Sequence, residues 1–371
     1  MMRLVVDGTP LCYPLTGIGQ YTQSLLGALA VQRPEWEFIV LSPYPPTSPS
    51  PFPNVHHDLE TSRALSTHRP GWRGWWFDGI LPSAVSAAGA DVFWAANGLV
   101  PFRLAGVKVA LTLYDFVPER FPHTMTFAAR IYRKWNLRHW LARATWRMPI
   151  SQAVGDEAQA LFSVSTNAVI HPGVDALFTD FVAQPRTDLE PAKADYFVVL
   201  GTVEPRKNLA VLIRSLDQLV LEGIWPEGLK VRIVGLNGWL DRQTQDRIDD
   251  LETRGIVERL GYVPRELLPG LLANARALLM PSLYEGFGMP IAEAMAVGCP
   301  VICSDIPPFR EIIGEEPALF HGTDEASIYN AYRSYVTTQQ VSRWTQSKDG
   351  AELRFTWERS ASRFIHVLEN R

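Results

Sequence analysis

Along most of the chain, short apolar runs alternate with longer segments whose apolar residues recur at helical spacing. Leu4-Val5-Val6, Phe38 to Leu41, Asp91 to Trp94 and Val107 to Leu113 read as strands, and Gln20 to Val31 as a helix. The second half repeats the pattern. Tyr196 to Leu200, Val231 to Val234, Ala277 to Met280 and Val301 to Cys303 are strand candidates, and Leu209 to Leu221 is helical. Strands that alternate with helices predict parallel sheets covered on both faces. The tract Ser42 to Pro53 holds six prolines in twelve residues and predicts an extended surface loop. A linker is expected around Val164 to Arg186, with the second domain under way by Asp195. An amphipathic last helix is expected over about Ser360 to Asn370. No internal repeat of 20–50 residues is found.

The stretch from Leu278 to Ile306, LLMPSLYEGFGMPIAEAMAVGCPVICSDI, carries the most chemistry. It reads as a buried strand, a glycine-broken loop, a short helix and a second buried strand. Gly286 and Gly288 allow a tight backbone and close approach of a ligand. Pro290 suits a first helical turn, and Gly298 suits a left-handed cap. A helix that starts after such a loop offers free N–H groups and a positive dipole end, which favours an anion such as phosphate. Glu285 lies in the loop and Glu293 follows eight residues later in the helix. An ionised carboxylate only accepts hydrogen bonds, so the pair suits a polyhydroxylated ligand. Taken alone, the two residues read more readily as a solvated loop glutamate and a helix-dipole partner.

Arg206 and Lys207 follow the strand Phe197 to Leu200 and precede a helix. Ligands bind at the carboxyl ends of strands in open parallel sheets, and an Arg–Lys pair suits a pyrophosphate. A solvated basic turn is the alternative. Gly17 and Gly19 come soon after the first strand. Their GIG pattern lacks the third glycine of a dinucleotide fingerprint, which argues against an oxidoreductase. Residues 121–150 hold Arg130, Arg133, Lys134, Arg138, Arg143 and Arg147 with no acid, interleaved with Trp135, Trp140 and Trp146. Arg69 to Trp76 adds Arg73, Trp72, Trp75 and Trp76. Such a mixture fits an anionic membrane surface or a pyrophosphate-linked lipid. A helix whose tryptophans face the core would read the same way.

EGFGMPIAEAMAVGCPVICSDI resembles the E-x7-E signature of the retaining glycosyltransferases of family 4. Other segments match in order: TGIG at 16–19, HPGVD at 171–175, GTVEPRKN at 201–208, GYVP at 261–264 and FTWE at 355–358. The resemblance spans nearly the whole chain and is nearest to bacterial mannosyltransferase-like enzymes of surface polysaccharide assembly. It implies a GT-B fold, with two Rossmann-like parallel-sheet domains facing across a cleft. Residues 1–170 would form the acceptor side, with the last helix, about 357–371, packing back on it. Residues 171–356 would bind the nucleotide sugar.

The resemblance implies a nucleotide-sugar donor, expected to be GDP-mannose, and no cofactor or metal. Arg206 and Lys207 would hold the diphosphate. Glu285 would contact the donor sugar and Glu293 the ribose. Gly17, Gly19, Val263, Gly286, Phe287, Gly288 and Met289 would border the donor. Many relatives carry His-Asp where this chain has Tyr114-Asp115, so a catalytic histidine does not carry over. Asp115 would orient a sugar, and Tyr114 would pack against or hydrogen-bond one. Trp94 would line the acceptor cleft. Arg133, Lys134 and Arg138 would meet the lipid-linked acceptor or the membrane. Retention in this family is assigned to a same-face mechanism, so Glu285 is not expected to be a nucleophile.

Composition bounds these expectations. At 371 residues, two domains of ordinary size are expected, and 47% hydrophobic with 20% charged residues allows full cores. A net charge of −4 argues against a general nucleic-acid binder. Cys12, Cys299 and Cys303 form no disulfide framework and no zinc pattern, which suits a cytoplasmic protein. The sequence shows no signal peptide and no run of about 18 apolar residues, though peripheral contact with the inner membrane face is compatible. Three rivals remain. A glycosidase needs two carboxylates but neither Arg206-Lys207 nor a phosphate loop. A non-catalytic nucleotide-sugar binder would share the whole site, as would a UDP-sugar-dependent transferase.

Overall fold

The computed structural model describes residues 1–13, 17–47, 49–58, 74–121, 127–183, 195–201, 204–235, 241–314, 319–338 and 354–370; the side chains of 127–130, 132–134, 183, 319 and 320 are not described. The chain forms two compact units, Met1–Gly173 with Phe355–Arg371, and Val174–Arg354.

The first unit is built on six parallel strands: β1 (Arg3–Asp7), β2 (Glu37–Leu41), β3 (Val55–Asp58), β4 (Val92–Ala95), β5 (Lys108–Leu113) and β6 (Trp146–Pro149). Their order is β3-β2-β1-β4-β5-β6. Val5 pairs with Ile39 on one side and Phe93 on the other. The chain runs outward from β1 to β3, then returns to β4, so the topology reverses between β1 and β4. The helices Gly17–Gln32 and Trp357–Glu369 pack together. Their contact is fixed by Gln32 donating to the Glu358 carbonyl (2.7 Å) and by an Arg33–Glu369 ion pair (2.9 Å). The last helix has an Oγ cap from Thr356 and buries Ala361, Phe364, Ile365 and Leu368 along one stripe.

The second unit repeats the plan with β7 (Tyr196–Leu200), β8 (Lys230–Val234), β9 (Val257–Gly261), β10 (Leu278–Met280), β11 (Val301–Ser304) and β12 (Leu319–His321). The order is β12-β11-β10-β7-β8-β9, and the paired strands are parallel. Here the reversal falls between β7 and β10. Phe197, Val199, Leu212, Leu216, Val231, Ile233 and Leu279 anchor the core between this sheet and its helices. Four strands had no apolar-run signal: β3 (VHHD), β6 (WRMP), β9 (VERLG) and β12 (LFH). Each is an edge strand.

Candidate functional site

Open parallel sheets bind ligands beyond the carboxyl ends of their strands, where the topology reverses. In the second unit that point lies beyond Leu200 of β7 and Met280 of β10, and the sequence's main candidates converge there. After β7, Gly201 takes φ +127°, a conformation that L side chains rarely adopt. A Cβ at Gly201 would sit 3.2 Å from the Lys207 side chain, which therefore lies close over the backbone. The short 3₁₀ turn Pro205–Lys207 ends at Asn208, itself left-handed, and Asn208 donates to the Thr323 carbonyl (3.0 Å). Leu283 N–H donates to the Arg206 carbonyl (2.7 Å), tying this turn to the loop after β10.

Arg206 Nη1 donates to Glu285 Oε2 (2.8 Å), and Lys207 Nζ and Ser282 Oγ donate to Oε1 (2.5 and 2.9 Å). Arg206 Nε donates to Glu204 Oε2 (2.9 Å). The Glu285 side chain is only 10% exposed. Burial pushes its carboxyl upward, but Lys207 and Arg206 together outweigh burial and hold it below the usual glutamate range. Two cations are thus gathered around one ionised carboxylate, with Glu204 as a second counter-charge. A crevice lined by Gly201, Lys207, Leu209, Met280 and Ser282 opens beside them.

The helix Met289–Ala296 begins at Gly288, where φ is +123° and an added Cβ would lie 2.8 Å from the Phe309 ring. Only glycine lets the chain turn there. Glu293 is buried, and its Oε1 accepts from Arg265 Nη2 (2.8 Å). Arg265 Nε lies 3.5 Å from Asp175 Oδ2, and its guanidinium sits 5.2 Å from the centre of the Phe178 ring. Burial raises the Glu293 carboxyl above its ordinary range, Arg265 opposes that rise, and Asp175 adds to it. The two glutamates of the motif therefore titrate in opposite directions. Gly286 and Phe287 are buried, Met289 is half-buried, and Val263 is half-buried just before Arg265. With its ring in the core, Phe287 can offer a ligand only its backbone.

The first unit departs further from expectation. Gly17 and Gly19 belong to the first turn of the helix Gly17–Gln32 and not to a loop, and neither has a positive φ. Among the described residues, a Cβ at Gly17 would meet nothing within 4 Å. Thr16 lies outside the described residues. Trp94 does not line a cleft. It is fully buried, its indole donates to Thr112 Oγ1 (2.9 Å), and its ring packs on Phe364 (5.2 Å). Tyr114 donates to the Ala96 carbonyl (2.6 Å) and meets the Tyr21 ring edge-on (5.4 Å). Burial raises its phenol. Asp115 Oδ1 accepts from Val117 N–H (3.1 Å), which fixes the turn after β5.

Among the basic and aromatic residues, Trp76, Trp140 and Trp146 are core. Trp75 and Trp135 are exposed, Trp135 by 78%, and Arg138 is exposed beside it on the helix Phe127–Arg143. Arg133 and Lys134 lie on that helix, but their side chains are outside the described residues, as are all of Trp72 and Arg73. No described helix is long and apolar enough to cross a membrane. Among the described residues, no cluster of three His, Cys, Asp or Glu could hold a metal.

Sequence reading passed over three residues. Arg265 and Glu204 are charged residues in loops, with no pattern of their own to mark them. Asp7 ends β1 at the first unit's reversal point. It is fully buried, with Oδ1 held by Thr9 N–H (3.0 Å) and Thr9 Oγ1 (2.6 Å), and among the described residues Oδ2 has no hydrogen-bond partner. Burial pushes its carboxyl up to about 6.

Residues 182–346 match the family described as glycosyl transferases group 1. The chain is 27% identical over 407 aligned residues to the O-antigen chain mannosyltransferase B of Escherichia coli, covering 99% of this chain and 100% of that protein. This chain is a glycosyltransferase with a group 1 domain. The glycosyltransferase is also 28% identical to the O-antigen chain mannosyltransferase RfbU of Salmonella typhimurium, over 60% of each chain. Its fold matches that of a sucrose-phosphate synthase from Thermosynechococcus elongatus, with a TM-score of 0.73, 18% identity, and coverage of 99% and 98% of the two chains. The glycosyltransferase thus has the GT-B fold.

Proposed function

We propose that this glycosyltransferase moves mannose or a related sugar from a GDP-sugar to a hydroxyl of a lipid-linked oligosaccharide or polysaccharide intermediate, with retention of anomeric configuration. The observation that carries the reading is the grouping of Arg206, Lys207 and Glu285 at the second unit's strand reversal. Arg206 and Lys207 hold the donor diphosphate and neutralise it as it leaves, which is the main electrostatic help such a transfer needs. Glu285, held between them, accepts hydrogen bonds from the donor sugar. Glu293 accepts from the ribose. The mannosyltransferase names of the relatives favour the sugar, and their place in O-antigen assembly favours a glycan acceptor. Exposed Ile131, Trp135 and Arg138 favour contact between the helix Phe127–Arg143 and an anionic lipid surface.

A thermal-shift panel of GDP, UDP, GDP-mannose and UDP-glucose tests the donor, since a ligand that binds the folded state raises the midpoint. The largest rise is expected with GDP and GDP-mannose. A larger rise with the uridine pair replaces guanine by uracil. No rise with any of the four removes the donor assignment.

A further inference from the structure

We infer that Arg265, braced by Asp175, is a positioning residue that fixes the Glu293 carboxylate so that it can receive the hydroxyls of the donor's ribose. This rests on the donor reading of Glu293 given above. Glu293 stands on the helix Met289–Ala296 with 5% of its surface exposed, and a carboxylate buried so deeply needs a charged partner to stay ionised. Arg265 supplies that partner from outside the helix, in the turn Arg265–Leu267 after β9. It engages one oxygen, Oε1, at 2.8 Å. The guanidinium is also flanked from two further directions, by an ion pair to the Asp175 carboxylate at 3.5 Å, too long for a hydrogen bond, and by the Phe178 ring at 5.2 Å. Asp175 is itself fixed, because its Oδ1 accepts from Leu177 N–H (3.1 Å) at the start of the helix Ala176–Ala183. Asp175, Arg265 and Glu293 therefore form a chain whose far end, Asp175, is set by backbone.

The arrangement also sets the charge state. The groups that act on Glu293 are Arg265, which favours ionisation, and Asp175, which opposes it. The other titratable groups on the neighbouring elements are Asp180, Cys303, Arg310 and Glu311. With Arg265 removed, burial and Asp175 act unopposed, and Glu293 takes up a proton nearer neutral pH. The carboxylate then loses acceptor capacity as pH falls.

The test is calorimetric binding of GDP and its 2′,3′-dideoxy analogue, with UDP and its dideoxy analogue in parallel, between pH 6 and 8.5. Wild-type protein is expected to prefer the ribonucleotide on the order of tenfold, with little pH dependence, as for hydrogen bonds to a charged acceptor. Arg265→Gln is expected to abolish most of that preference, to leave affinity for the dideoxy form unchanged, and to recover ribonucleotide affinity as pH rises. Arg265→Lys restores the charge without the fork and should recover part of the preference. Asp175→Asn, which leaves Arg265 in place, should reduce the preference less. If Glu293→Gln keeps the full ribose preference, the donor reading of Glu293 fails and takes this inference with it. If Glu293→Gln abolishes the preference while Arg265→Gln keeps it, only the positioning role of Arg265 fails. Equal weakening of both nucleotide forms at every pH by Arg265→Gln, with Arg265→Lys no better, assigns Arg265 to structure alone. Binding of neither nucleotide to wild type overturns the donor reading.

Discussion

Arg206 and Lys207 both meet Glu285, so three residues expected to serve a donor form one charged cluster. The carboxylate sits where a second anion would have to share the same two cations. Two charge-assisted contacts of about 1.5–3 kcal/mol each are at stake. Arg206→Ala is expected to weaken GDP binding by about tenfold to a hundredfold, measured by calorimetry. Unchanged affinity in a folded variant removes Arg206 from the diphosphate site. Glu285→Gln is expected to lower kcat more than it alters nucleotide affinity, because its proposed role is to contact the transferred sugar. A loss confined to nucleotide affinity would place Glu285 with the diphosphate instead. Asp7 gives a pH test. Its folded-state carboxyl is raised from 3.8 to about 6, so its favourable contribution holds at low pH and is lost as pH rises through about 6. Asp7→Asn has no charge to bury. Its stability relative to wild type should improve by about 2.4 kcal/mol between pH 4 and pH 8, read from urea denaturation. A gap that does not change with pH would show that Asp7 ionises freely in the fold.

At the scale of elements, the legible strands were the central ones. Tyr196–Leu200 and Leu278–Met280 are buried at every position, and they read as continuous apolar runs. Val55–Asp58 and Val257–Gly261 bury only their first residue fully and carry His, Asp, Glu and Arg, because an edge strand is solvated along one side. The helix Phe127–Arg143 illustrates the same limit. Its composition could not separate core tryptophans from surface ones, and the fold sends Trp140 inward and Trp135 outward. Near an anionic surface each cation on such a helix contributes about 1 kcal/mol, screened by salt. Binding to anionic vesicles is therefore expected to fall as salt rises. Replacing Arg133, Lys134 and Arg138 by glutamine should reduce co-sedimentation while GDP affinity stays constant. No co-sedimentation at low salt, or none lost in the triple variant, would leave this an ordinary packed helix.

At the scale of the molecule, the proposed reaction gives a joint test. On the proposed role of Arg206 and Lys207 as the charges that neutralise a leaving diphosphate, activity in chelator is expected to equal activity in magnesium. The product's anomeric configuration, read by NMR, should match that of the donor. Inversion, or activity that chelator abolishes and magnesium restores, would refute the proposed chemistry. The sequence by itself determined the repeated strand–helix plan, the central strands, and the Glu285, Glu293, Arg206 and Lys207 candidates. Burial on both faces and glycine-dependent turns leave a local imprint that survives in the order of residues. Only the tertiary structure decided that Trp94 belongs to the core, that Gly17 and Gly19 begin a helix, and that Arg265 reaches Glu293 across 28 residues. Those facts depend on which segments the strand order brings together, and separations of that length leave no periodicity to read.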